Sequence, residues 1–169
     1  MHRPLLLLAP MLLSAFVATA GAADIAALER QLQEARSAAP MAMKPFMAVT
    51  KPAGYYGDYE PRPDTVYNRS DKLYFYGEPK NLTYPKNAKG AYEPAFDVDV
   101  EINGPGGQTM KKPQMLSFRL PTRSYAQDIY INLTLSLSSA APGKYKVKFV
   151  VRDLNSKKSA AVEQDVTLK

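Results

Sequence analysis

Along the second half of the chain, apolar residues recur at every second position. Over residues 128–137 the odd positions carry Ile129, Ile131, Leu133, Leu135 and Leu137, and the even ones Tyr130, Asn132, Thr134 and Ser136. Side chains of a strand alternate between its two faces, so this spacing predicts a strand with one face buried. Residues 144–152 repeat it, with Tyr145, Val147, Phe149 and Val151 on one face and Lys144, Lys146, Lys148 and Arg152 on the other. In 96–102, Phe96, Val98, Val100 and Ile102 alternate with Asp97, Asp99 and Glu101. Further strands are expected over 72–77, 114–120 and 159–168.

Turn-forming residues separate these runs: Asn103-Gly104-Pro105-Gly106-Gly107, Pro121-Thr122, Pro142-Gly143 and Asn155-Ser156. Short strands at such spacing predict an all-β chain, an antiparallel β-sandwich of about seven strands. The sandwich is expected over 64–169, with a possible edge strand at 46–51.

The first part of the chain reads differently. Ile25, Leu28, Leu32 and Ala35 fall at i, i+3, i+7 and i+10, which predicts a short helix within 23–38 with Asp24 as its N-cap. Such a helix is marginal alone and must dock or fray; its spacing also suits pairing with another helix, though docking explains it with less. Pro40, Pro45, Pro52, Pro61 and Pro63 then punctuate a lead-in over 39–63 without sustained periodicity. Ahead of the helix stand His2-Arg3-Pro4, an apolar run from Leu5 to Val17, and Ala18-Thr19-Ala20-Gly21-Ala22. This is the make-up of a secretory signal cleaved after Ala22, with a second site offered by Ala18 and Ala20. A retained anchor helix is the weaker alternative, because spanning a bilayer needs about 20 apolar residues. The expected location is periplasmic or secreted, with no transmembrane segment after cleavage.

Composition narrows the chemistry. The chain has no cysteine, and its one histidine, His2, lies in the signal segment. That excludes Ser-His-Asp and Cys-His nucleophilic sites and zinc sites built on His or Cys from the mature protein. It also excludes a lipoprotein anchor on cysteine, and leaves the core to hold the fold without disulfides. The net charge of +6 is spread thinly, with no cationic run longer than Lys111-Lys112 or Lys157-Lys158. This suits a solvated surface, and contact with anionic lipid or acidic polysaccharide, better than a nucleic-acid stripe.

From residue 128 onward the order of features resembles a known family. A Leu-rich strand, the Pro142-Gly143 turn, Tyr145, a strand ending in Arg152-Asp153 and a hairpin into the last strand look like the E, F and G strands of immunoglobulin/fibronectin-III-like domains, here in a secreted bacterial form. The resemblance implies that the Tyr145 hydroxyl bonds back to nearby backbone as a tyrosine corner. The Cys…Trp…Cys core of antibody domains is missing, and the fold names no ligand.

A register follows from charge. If 154–157 form a hairpin loop, Lys148 faces Glu163, Lys146 faces Asp165, Phe149 meets Val162 and Val151 meets Ala160. The resemblance puts 96–102 on the other side of the Lys-rich strand, so that a basic strand lies between two acidic ones.

Several groups invite chemistry. Asp97, Asp99 and Glu101 share a face, but alternate residues of a strand lie about 6.6 Å apart, too far for one calcium ion without loop ligands. A salt-bridge ladder accounts for them better. Met41, Met43 and Met47 are soft ligands of the kind Cu(I) prefers, yet without His or Cys they read as an apolar anchor. Eight of the eleven tyrosines lie between Tyr55 and Tyr92, and the loop Tyr55-Tyr56-Gly57-Asp58-Tyr59 is the expected contact surface, with Tyr55, Tyr56 and Tyr59 as binding residues. Tyr74 and Tyr76 read as cover for a sheet face. Asp58, Glu60 and Glu78 are the carboxylates a glycosidase would need, a weaker reading among sixteen acidic residues. Asn68, Asn81 and Asn132 stand in glycosylation sequons that read as chance, with Asn132 facing solvent from its strand.

The expected function is a non-enzymatic binding or structural module, without cofactor, metal or nucleic acid, that contacts another cell-envelope protein through a strand edge or the tyrosine loop. The alternative is a carbohydrate-recognition module for cell-wall or acidic polysaccharide, using a tyrosine platform.

Overall fold

The computed structural model describes residues 24–169; residues 1–22, expected to be a secretory signal, lie outside them. One helix, α1 (Ile25–Ala38), precedes eight strands: β1 (Ala42–Val49), β2 (Val66–Tyr67), β3 (Lys72–Lys80), β4 (Ala95–Asn103), β5 (Thr109–Arg119), β6 (Ile131–Ser136), β7 (Gly143–Asp153) and β8 (Ser159–Leu168). They form two sheets, ordered β1-β3-β6 and β2-β8-β7-β4-β5. No helix among the described residues is long and apolar enough to cross a membrane.

The alternation places the core. Leu73 and Phe75 of β3 and Leu133 and Leu135 of β6 share one apolar cluster with Phe96 and Val98 of β4 and Val147, Phe149 and Val151 of β7. Phe149 is the meeting point of the two sheets, with its ring centroid 5.1 Å from Phe75 and 5.5 Å from Phe46. Burial of such rings supplies the main favourable term in the fold.

The β7–β8 register is the one that charge and apolar faces together dictate: Lys148 opposite Glu163, Lys146 opposite Asp165, Phe149 opposite Val162 and Val151 opposite Ala160. β4 lies on the other side of β7, with Glu101 opposite Lys148. The ion pairs run both straight across the ladder and diagonally. Lys146 reaches both Glu163 (3.5 Å) and Asp165 (3.3 Å), Arg152 holds Asp99 (2.8 Å), and Glu101 turns outward to Lys111 of β5 (3.0 Å).

Asp97 departs from the ladder expected of the acidic triplet. It is buried and accepts from the Gln114 side chain (2.9 Å), Ser117 Oγ (2.8 Å) and Arg119 (3.4 Å). The Gln114 N–H donates to Asp99 (2.8 Å). Together the two carboxylates clamp a bulge in β5, where the register slips between Val98 and Val100 and Gln114 takes φ 48°. Among the described residues no three acidic groups converge to hold a metal ion.

Other boundaries shift. β1 starts four residues before the expected edge strand, and Met41 and Met43 are buried in the main core as apolar filling. β2 pairs in parallel with the end of β8, a contact of two residues that no local pattern announces. Asn132 does not face open solvent; its amide accepts from the Ala53 N–H (3.0 Å) and donates to the Ala53 carbonyl (2.9 Å).

The helix forms where expected, with Asp24 Oδ1 accepting from the N–H groups of Ala26 and Ala27. Its orientation is reversed. Ile25, Leu28 and Leu32 are exposed, while Arg36 donates to Gln127 and the Ser37 carbonyl accepts from Lys158 (3.1 Å). The polar side of the helix is the one that docks.

Candidate functional site

The outer face of the three-stranded sheet is built by parity. Leu73 and Phe75 point inward, so Tyr76, Glu78 and Lys80 share the other face of β3. The loop over 51–61 folds down on them. Tyr76 Oη donates to Glu78 Oε1 (2.8 Å) and accepts from the Gly57 N–H (2.8 Å). Lys80 Nζ donates to Glu78 Oε2 (2.6 Å) and to Tyr56 Oη (2.6 Å). Gly57 takes φ 79°, a conformation costly for any residue with a Cβ, and so aims its N–H at the phenol. Two rings pack on Tyr76, Tyr59 tilted at 4.5 Å and Tyr130 stacked at 5.8 Å.

This network sets its own protonation. Burial pushes the Glu78 carboxyl up, but hydrogen bonds from Lys80, Tyr56 and Tyr76 outweigh it and hold the group below the usual carboxylate range. Lys80 is held above its ordinary value, because Glu78 and Tyr56 outweigh its desolvation. Burial raises the Tyr76 phenol well above its ordinary range. At neutral pH the site is an ion pair with a neutral phenol.

The three tyrosines expected to form one contact surface have separate situations. Tyr55 is 68% exposed. Tyr56 is half-buried and bonded to Lys80, and Tyr59 packs on Tyr76 in a small second cluster with Val49 and Ala53. The carboxylates are likewise dispersed: Asp58 accepts from the Gly54 N–H (3.1 Å), Glu60 from Thr50 (2.9 Å), and Glu78 belongs to the tyrosine network.

A second aromatic group lies beside the helix. Tyr84 and Tyr125 stack at 4.2 Å, and Tyr92 meets Tyr125 edge-on at 5.7 Å. Tyr84 Oη donates to the Ala126 carbonyl (2.5 Å), and burial raises the pKa of both Tyr84 and Tyr125. With Arg30, Gln33, Glu34 and Ser37 of the helix these rings line a cleft of about 250 Å³. Tyr125 also borders a groove of about 560 Å³ between Phe118 and Leu120 on one side and residues 126–130 on the other. Sequence reasoning passed over this group, because Tyr125 stands outside the tyrosine-rich stretch and only the tertiary fold brings it to Tyr84.

At the far end, Tyr145 Oη donates to the Ala141 carbonyl (2.6 Å), four residues upstream, and closes the turn into β7.

No family model matches the chain, and no curated protein matches it in sequence. Among solved structures it is similar to the sporulation control protein Spo0M from Bacillus subtilis, at 9% identity and a TM-score of 0.34, over 78% of this chain and 50% of that one. The chain thus spans half the length of that protein, and a likeness this distant carries no argument about fold or role.

Proposed function

We propose that this chain is an exported, non-enzymatic binding module with an immunoglobulin-like β-sandwich fold, and that it contacts another protein of the cell envelope. Two features support the fold. The strand order β1-β3-β6 and β2-β8-β7-β4-β5 corresponds to an A-B-E sheet facing a G-F-C-C′ sheet, with β2 as a short addition beside the last strand. The Tyr145 to Ala141 hydrogen bond has the form of that family's tyrosine corner. Export rests on the segment 1–22 alone.

One observation carries the binding role: β5, eleven residues long, is the outermost strand of its sheet, and its first six residues are all exposed. A strand edge of this kind is a ready template for another chain. The carbohydrate reading has less behind it, since Tyr56 and Tyr59 are engaged within the molecule and only Tyr55 offers a free ring. The test is recovery of partners from an envelope extract after brief cross-linking of the tagged full chain. One stoichiometric protein supports the reading; retention on polysaccharide lost in Tyr55→Ala, with no protein recovered, overturns it.

A further inference from the structure

Between the last turn of α1 and the end of β3 lies a hollow of about 140 Å³. The rings of Tyr56, Tyr84 and Tyr125 wall it, and three charged side chains line it: Arg36, Lys80 and Asp128. A cavity of about 150 Å³ holds one benzene ring, so the space suits a molecule of that bulk. The charge of Lys80 is met by Glu78 at 2.6 Å, and two of its three N–H groups go to Glu78 and Tyr56. The other two charges are open. Arg36 donates to the Gln127 side chain but forms no ion pair among the described residues. The Asp128 carboxylate has no ion pair among them either, not even with Arg36. Opposite charges thus line one hollow without meeting.

We infer that this hollow binds a small zwitterion, a free amino acid, with its carboxylate on Arg36 and its ammonium on Asp128. The inference goes beyond protein binding and does not depend on it. The lining itself selects the occupant. A guanidinium offers a carboxylate two parallel N–H bonds, and the remaining N–H of Lys80 adds a third donor on the same wall. A carboxylate in turn accepts from an ammonium. The tyrosine faces give the ligand's side chain an apolar surface to pack on. A simple anion is opposed by Asp128, and a simple cation by Arg36 and Lys80. A neutral sugar satisfies hydrogen bonds but leaves both open charges without a counter-charge. Only a ligand carrying both signs answers both walls. The reversed seating of α1 fits this use: Leu28 and Leu32 stay in water, while the helix brings Arg36 to Gln127 and the hollow.

The experiment follows the amide NMR signals of the purified protein as L-valine and, separately, L-tyrosine are added. Each amino acid has two controls that lack one charge: its N-acetyl derivative, without the ammonium, and its amide, without the carboxylate. Glucose and inorganic phosphate stand for the neutral polyol and the bare anion. At least one amino acid is expected to shift the Gln127 and Asp128 amides saturably, binding at least about tenfold more tightly than its two derivatives. Asp128→Asn, at an exposed side chain, is expected to weaken binding by a similar factor without moving the thermal midpoint. Arg36→Lys keeps the charge but not the planar fork, and is expected to weaken binding less than Arg36→Gln. No saturable shift from either amino acid overturns the inference. So does equal binding of either derivative, tighter binding of glucose or phosphate, or an Asp128→Asn protein that binds as before.

Discussion

Tyr76 and Glu78, two residues apart on one strand, are joined by a 2.8 Å hydrogen bond whose donor phenol also accepts from Gly57 in the loop above. Both side chains are buried, so neither partner has water to fall back on. Tyr76→Phe leaves the Gly57 N–H and one carboxylate oxygen unsatisfied, and is expected to cost about 1–3 kcal/mol. The urea midpoint should fall at unchanged slope. Amide exchange at Gly57 should speed up by more than at the centre of β7; uniform exchange would show that the loop is held some other way.

The acid limb of stability should trace to two carboxylates. Asp97 lies below its ordinary pKa, through hydrogen bonds from Gln114 and Ser117 against a smaller opposing effect of burial, and Glu78 lies below through Lys80, Tyr56 and Tyr76 against a larger one. In the unfolded chain such groups titrate near about 3.9 and 4.3. Their stabilisation is therefore complete above those values and is lost as pH falls through the lower folded values. Asp97→Asn should flatten the dependence of the urea midpoint on pH between about 5 and 2. At the alkaline end, Tyr76 and Tyr84 have raised values, so stability is whole below about pH 10 and declines as pH rises above it.

Phe149 has no solvent exposure and touches rings from two of the three strands of the facing sheet, Phe46 of β1 and Phe75 of β3. Phe149→Ala should cost about 3–5 kcal/mol, since it removes transfer energy and leaves a cavity that three strands cannot collapse. Val162→Ala, across the β7–β8 ladder at a half-buried site, should cost less. Chemical denaturation of the two variants checks the order, and equal losses would mean the sheets do not meet at Phe149.

For the helix the expected result inverts the usual rule. Leu28→Ser with Leu32→Ser should change stability by no more than about 0.5 kcal/mol, because both side chains already stand in water. Tyr125→Ala removes the ring that the helix's polar side rests on, and should speed proteolysis within Ile25–Ala38 while leaving the strands protected. Heavy destabilisation by the leucine changes would place the stripe against the protein.

What could be read in the sequence follows from how local each signal is. The strands at β6 and β7 were legible because side-chain parity is a property of the strand itself. The β7–β8 register was legible because both faces, Phe149 with Val162 and Lys146 with Asp165, accept the same alignment. The start of β1 was not, since Pro45 and three methionines mask its alternation. For the helix, spacing told which residues share a side but not which side meets the protein; that depended on Tyr84, Tyr92 and Tyr125, gathered from positions far apart in the chain. Asp97 was misjudged for the same reason, because its partners Gln114, Ser117 and Arg119 come from a neighbouring strand with an irregular register.

β8 lies inside its sheet, between β2 and β7, although it is the last strand in the chain. Without β8, β7 has a bare edge and Tyr67 lacks its neighbour Leu168, so the larger sheet is whole only when this strand is in place. Closure of the larger sheet thus waits on the distant pairing of Val66 with Thr167, and contacts of such sequence separation are the slow ones in folding.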